Sequence, residues 1–341
     1  MKKEIIIFIP YFGKLPVYFQ TFLHSCQGVE KIHFLIFTDD AEIGKMVVPS
    51  TVSYNLMTFD ELAKRISSLN LGELPYSYKL CDYKPLYGLI FSDYAEGYDY
   101  WGYCDVDTMM GDVDGFLAKI NYKQYDRIGE KGHFTIYRNV ERLNYLYKTK
   151  LPNIPPIYDF DFVKQTTYPC NFDESGMNWI CDKKGVSFYK CNHVAQMTIV
   201  HDFHLHTSKR FQQPEIFVWE KGHVYCYYRE NGELKKEEYM YIHFEDRKNM
   251  PALEPLSDKV LITHEGFRSF STERLEDLLD KYGAVETDEE RSAYVESERQ
   301  RIRRGQKTKL YREFKYCGLR AFYNLYGRYK SIKWLKAHNI D

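Results

Sequence analysis

The sequence predicts an α/β protein with a mostly parallel central sheet and flanking helices. Three observations predict it. Ile5–Ile9 and Ile32–Phe37 are continuous β-rich apolar runs, the pattern of strands covered on both faces. Helix-like stretches alternate with them. Polar residues cluster where the runs stop, and in such sheets ligands bind beyond the carboxyl ends of the strands.

Taken in chain order, the first strand is closed by Pro10, and residues 16–26 read as a helix behind a Tyr-Phe-Gly loop. The second strand ends in Thr38-Asp39-Asp40, and residues 51–57 form a third. Thr58-Phe59-Asp60-Glu61-Leu62 opens a helix with a cap and an acidic first turn. Residues 100–104, Tyr-Trp-Gly-Tyr-Cys, make an aromatic strand that stops at Asp105-Val106-Asp107. Alternate side chains of an extended segment point the same way. Asp105 and Asp107 can therefore face one side, where a hard divalent cation could bridge them to a substrate phosphate. The competing reading of such a pair is a solvated turn or helix cap. Beyond about residue 210 the pattern turns antiparallel: residues 217–228 read as a hairpin, and Asn231-Gly232 is a hairpin turn before residues 238–244. Residues 251–341 read as a helical extension, acid-rich over 272–298 and basic with interleaved aromatics from 299 to 337.

Composition limits the function classes. A net charge of −1 gives no global argument for nucleic acid, and none is expected as a partner. The eight cysteines include no Cys-x-x-Cys pair, which argues against a zinc ribbon and for reduced thiols. No stretch approaches the roughly 18 apolar residues of a membrane span, and the 5–10 run is too short for a signal sequence. A cytoplasmic location is expected. The basic 299–337 tail suits either docking at the inner face of an anionic membrane or packing against the acidic 273–298 segment.

Several motifs occur in a fixed order: Ile-Pro-Tyr-Phe-Gly-Lys-Leu-Pro at 9–16, Tyr-Lys-Leu-Cys-Asp-Tyr-Lys-Pro-Leu-Tyr-Gly at 78–88 and Tyr-Trp-Gly-Tyr-Cys-Asp-Val-Asp at 100–107. Gly-His-Phe-Thr-Ile-Tyr-Arg-Asn at 132–139 and Tyr-Ile-His-Phe at 241–244 complete the set. Together they resemble glycosyltransferases of the GT-A type, in particular bacterial enzymes of capsule, O-antigen or other surface-polysaccharide synthesis. The resemblance spans roughly residues 4–250. It implies a GT-A catalytic unit at 1–250, with a nucleotide-binding half to about 115 and an acceptor half from 116, carrying a small β-hairpin insertion.

The resemblance also implies roles. Asp105, Asp107 and His243 would hold Mn²⁺ or Mg²⁺ on the diphosphate of a nucleotide-sugar, expected to be UDP-linked. Pro10, Tyr11, Phe12 and Gly13 would wrap the base. Asp39 would accept from ribose or base, or else cap a helix. Asp82 and Lys84 would face the donor, although Asp82 also suits a cap, and Arg247 and Lys248 would neutralise phosphate. On the acceptor side His133 and Asn171 would meet sugar hydroxyls. Asp173 or Glu174 would deprotonate the acceptor, against a plainer reading as a helix cap and first-turn acid. A growing glycan, lipid-linked or not, would be that acceptor. Two other readings compete: a catalytically silent sugar-binding domain, and a haloacid-dehalogenase-like phosphatase using Asp105 and Asp107. His201, Asp202, His204 and His206 read better as polar residues on a strand edge than as a metal site.

Overall fold

The computed structural model describes residues 4–151, 156–191, 193–197, 205–206, 213–244, 257–263 and 266–283, with some positions between 289 and 303. Its strands, in chain order, begin with β1 (Ile5–Pro10), β2 (Ile32–Thr38), β3 (Val52–Leu56) and β4 (Tyr100–Cys104). The short β5 (Thr108–Met110) follows, then β6 (Arg127–Lys131), β7 (Phe134–Arg138) and β8 (Phe188–Tyr189). After them come β9 (Val194–Met197), β10 (Leu205–His206), β11 (Glu215–Glu220), β12 (His223–Glu230) and β13 (Glu233–Tyr239). The last are β14 (Tyr241–His243), β15 (Lys259–Thr263) and β16 (Gly266–Ser269).

Seven of these form the central sheet, in the order β3-β2-β1-β4-β7-β6-β8. The pairings around β1 are parallel, as the uninterrupted apolar runs predict, while β7 is antiparallel to both β4 and β6. Alternation along β1 explains why both faces need cover. Ile6 and Phe8 point into one core with Leu62, Ile66, Tyr87 and Phe91. Ile5, Ile7 and Ile9 point into the other with Phe19, Phe22 and Leu117. The chain passes from β1 outward to β3 and then returns to place β4 on the opposite side of β1. The carboxyl ends of β1 and β4 thus flank a topological switch point, where such sheets open a crevice.

Local signals were kept where the chemistry was local. The helix Phe59–Ser68 starts with a reciprocal cap: Thr58 Oγ1 accepts from the Glu61 N–H at 3.2 Å and the Glu61 carboxylate accepts from the Thr58 N–H at 2.7 Å. The helix expected from residue 16 begins at Phe19, because Pro16 to Phe19 forms a turn with the Phe19 N–H on the Pro16 carbonyl. Asn231 and Gly232 both take positive φ, and they join β12 to β13 in a two-residue hairpin.

One expectation is corrected. The predicted hairpin is part of a five-stranded antiparallel sheet, β13-β12-β11-β15-β16, so the region after 250 opens with strands rather than helix. Val260, Leu261 and Ile262 pack into this sheet's two cores, and the helix Leu275–Tyr282 covers its outer face. A third sheet, β10-β9-β14-β5, contributes Met110 and Tyr241 to a core of the central sheet and Met109, Ala195 and Ile242 to a core of the five-stranded sheet. Among the described residues no helix is long and apolar enough to cross a membrane, and the described cysteines are all unbridged. Most of the basic 299–337 tail lies outside the described residues, as do His201, Asp202 and His204; His206 is placed only as part of β10.

Candidate metal and substrate site

The crevice at the switch point is a cavity of about 660 Å³, within the range of pockets that enclose small organic ligands. Its floor is the Asp105–Asp107 segment. Three backbone or hydroxyl contacts fix that segment: the Asp105 N–H donates to the His133 carbonyl at 3.0 Å, Thr108 Oγ1 to the Asp105 carbonyl at 2.8 Å, and the Phe244 N–H to the Asp107 carbonyl at 2.7 Å. Pairing of β5 with β14 sets His243 opposite Thr108. As a result Asp105, Asp107 and His243 each bring a ligand atom within 4.8 Å of the others, and His243 Nε2 lies 3.5 Å from Asp107 Oδ1. One imidazole and two carboxylates are a suitable donor set for Mn²⁺ and acceptable to Mg²⁺. Electrostatics agrees with a cation there. Burial raises the Asp105 carboxyl above the usual carboxylate range and the neighbouring Asp107 adds to this, against the pull of Lys84.

Lys84 is a cation the chain itself supplies to the cavity. Its Nζ donates to Asp105 Oδ1 at 2.5 Å and to the Gly132 carbonyl at 2.9 Å. Burial alone would weaken the ammonium, but Asp105 and Asp173 outweigh it and hold its pKa above the ordinary lysine value. Gly132 is the hub of the opposite wall. Its N–H donates to Glu174 Oε1 at 2.7 Å, and a Cβ on it would fall 2.5 Å from Asp173 Oδ2. Only glycine lets Asp173 approach this closely.

Asp173 lies in the turn Phe172–Gly176 that leads into the helix Met177–Lys184, and it does not cap that helix. It is almost fully buried on the cavity wall. Burial pushes its carboxyl up to about 7, with Glu174, Asp82 and Asp105 adding to the rise and Lys84 opposing it. Asn171, preceding the turn at φ 58°, lines the cavity and donates to Ser175 Oγ.

His133 differs from expectation in its surroundings. It touches the cavity, but it is buried, stacks on His243 with centroids 4.1 Å apart, and has Nδ1 2.8 Å from the Tyr241 hydroxyl. Burial, then His243 and Lys84, push its pKa well below the usual histidine value, so the ring is neutral. Its role in the fold is to support the His243 ring from behind.

Pro10, Tyr11 and Phe12 line the cavity, and Phe12 leans edge-on against Phe59 at 5.6 Å. Gly13 and Asp39 do not line it. They border an adjacent hollow, where Asp39 Oδ1 accepts from the Gly13 N–H at 2.7 Å. Asp39 caps no helix; Asp40 caps the turn Ala41–Lys45 and also accepts from the Leu15 N–H. These two acids tie the loop after β1 to the end of β2.

Asp82 is the clear correction. It is fully buried away from the cavity, 2.7 Å from Lys79 Nζ, and accepts from the Cys170 and Phe172 N–H groups. The reason is periodicity. Residues 77–86 form 3₁₀ helix, whose three-residue turn aligns i with i+3. Tyr78, Cys81, Lys84 and Tyr87 therefore line the cavity together, whereas Lys79 and Asp82 share a buried face. That spacing was readable for Tyr78, Cys81 and Tyr87, which sequence reasoning passed over. Tyr18, Lys131 and Gln196 also line the cavity and carried no local signal. Arg247 and Lys248 lie outside the described residues.

A model of a family described as a family of unknown function, DUF6625, matches residues 7–271. The chain belongs to this DUF6625 family. The matched span holds Asp105, Asp107, His243 and the whole cavity lining, and it ends just past β16. The five-stranded antiparallel sheet is thus part of the DUF6625 unit, beyond the boundary near 250 that the motifs suggested. A comparison with curated proteins finds no match.

Proposed function

We propose that this protein is a metal-dependent glycosyltransferase of the GT-A type, moving a hexose from a nucleotide-diphosphate sugar, UDP-linked in the first instance, to a cell-surface or lipid-linked glycan. One observation carries the reading. At a topological switch point, a two-carboxylate, one-imidazole cluster shares a cavity with a half-buried lysine and, across from it, a buried carboxylate. A silent sugar-binding domain has no need of such a set. A phosphatase of the other type places its acid pair after the first strand of its domain, whereas here β1, β2 and β3 all precede it.

In this reading Asp105, Asp107 and His243 hold Mn²⁺ or Mg²⁺, which supplies the positive charge that stabilises the departing nucleoside diphosphate. Lys84 adds a second positive charge on the same side. Tyr11 and Phe12 stack on the base at the rim. Asp173 is favoured over Glu174 as the base, because Glu174 is already held by the Gly132 N–H. In an inverting displacement the acceptor oxygen bonds to the anomeric carbon, the bond to diphosphate breaks, and the acceptor proton passes to Asp173. In a retaining reaction the same carboxylate would position the donor sugar, and the anomer of the product separates the two.

Three outcomes follow from the wall residues. A base whose pKa is about 7 makes kcat/KM rise about tenfold per pH unit below that value and level off above it. Asp173→Asn removes both the slope and the activity. For stability the sign is opposite. A carboxyl raised from 3.8 to about 7 contributes stability that is fully present below 3.8 and is lost as pH rises through about 7. Denaturant midpoints of wild type and Asp173→Asn measured from pH 4 to 8 should therefore converge at the acid end. Gly132→Ala forces Asp173 aside and is expected to lower kcat by on the order of 10²-fold with little change in fold, read by steady-state kinetics and circular dichroism.

The experiment that tests the function is incubation of the full chain with UDP-hexoses and Mn²⁺, and separately with phosphomonoesters. Slow, chelator-sensitive release of UDP supports the proposal. Phosphate release from monoesters alone would favour the phosphatase.

A further inference from the structure

The strands that present Asp107 and His243 carry a second cluster at their other end. β5 and β14 run antiparallel, with His243 opposite Thr108 and Tyr241 opposite Met110. Asp107 and His243 stand at one end of this three-pair ladder. At the other end the chain leaves β5 through Gly111-Asp112 and enters β14 from the last residues of β13, Glu238 and Tyr239.

There Asp112, His223 and Glu238 each offer a ligand atom, all within 4.8 Å of one another. Close backbone packing brings them together. The Gly111 N–H donates to the Met240 carbonyl at 2.9 Å, and a Cβ on Gly111 would meet the Tyr239 carbonyl at 2.7 Å and the Val224 nitrogen at 3.0 Å. His223 Nδ1 lies 2.6 Å from Glu238 Oε1. Asp112 Oδ1 accepts from the Gly115 N–H at 2.8 Å.

We propose that Asp112, His223 and Glu238 form a second divalent transition-metal site, separate from the cavity and structural in role. One imidazole and two carboxylates repeat the donor set of the cavity cluster, which suits Zn²⁺ or Mn²⁺. The three residues are half-buried, so solvent completes the coordination. Among the described residues no lysine or arginine forms an ion pair with Asp112 or Glu238; the basic side chain within reach of Glu238 is His223. The His223–Glu238 hydrogen bond is the state with a proton in the position for which the metal competes. A bound ion would staple β12 and β13 to the start of the helix Val113–Lys119. It would thereby brace the far end of the ladder whose near end holds Asp107 and His243.

The test uses Zn²⁺ and the full chain carrying Asp107→Ala, so that the outcome is independent of the cavity cluster and of the glycosyltransferase reading. Equilibrium dialysis with elemental analysis should give one Zn²⁺ fewer per chain when His223→Gln is added, and again when Glu238→Gln is added instead. Zn²⁺ should raise the Tm of the Asp107→Ala chain, and the rise should vanish in both double variants. An Asp107→Ala chain that binds no Zn²⁺ overturns the proposal. So does an unchanged count or an unchanged Tm rise in the double variants.

Discussion

Asp107→Ala is expected to lower Mn²⁺-dependent turnover of a nucleotide-sugar by about 10³-fold, the scale seen when one group aimed at developing charge is removed. The variant should remain folded. Asp107 is held in place by its carbonyl, which accepts from the Phe244 N–H, and by the β5–β14 pairing, neither of which needs its side chain. Removing one of two neighbouring carboxylates also relieves like-charge repulsion, so Tm measured without metal should hold or rise slightly. Asp105→Ala is a less clean probe. It strips Lys84 of its partner at 2.5 Å and leaves a half-buried ammonium with the Gly132 carbonyl. A loss of activity there would mix charge imbalance with loss of a metal ligand. If Asp107→Ala retains wild-type, metal-dependent turnover, the cluster does not serve the reaction.

Asp82→Ala should produce the largest loss of stability, about 3–5 kcal/mol, because it leaves a buried charge uncompensated. Lys79 and Asp82 are both fully buried. Lys79 also donates to Thr166 Oγ1 and the Tyr168 carbonyl, and Asp82 accepts from Cys170 and Phe172. The pair thus clamps the 166–172 segment that delivers Asp173 to the cavity. Chemical denaturation should show the shift, and kcat should fall by more than the unfolded fraction explains. Replacing both partners, as Lys79→Met with Asp82→Leu, should recover part of the stability. It cannot recover all, since the two N–H groups lose their acceptor. A single variant with an unchanged denaturation midpoint would refute this clamp.

The contrast between Asp105 and Asp82 shows what was legible in the sequence. Buried parallel strands read as unbroken apolar runs, so their ends, and the polar residues there, stand out without any partner information. This exposed Pro10-Tyr11-Phe12 and the Asp105–Asp107 pair. His243 entered through motif resemblance, and the structure explains its place by the register of β14 on β5. Asp82 was misplaced because one residue of phase on a 3₁₀ helix separates the cavity face from the core face. Residues 259–269 read as the start of a helical extension because β15 pairs with β11, some forty residues upstream, and a short apolar run does not reveal its partner. Lys84 was placed near the donor, but its contact with Asp105 across the switch point is a long-range product of topology.

The central claim is that this cavity binds a nucleotide-sugar with the help of a divalent cation. The most direct measurement is isothermal titration of the full chain with a panel of nucleotide-sugars, with and without Mn²⁺. At least one, expected to be a UDP-hexose, should bind in the presence of Mn²⁺ and bind at least about tenfold more weakly to Asp107→Ala. Absence of binding by every nucleotide-sugar, with metal and without it, would contradict the account.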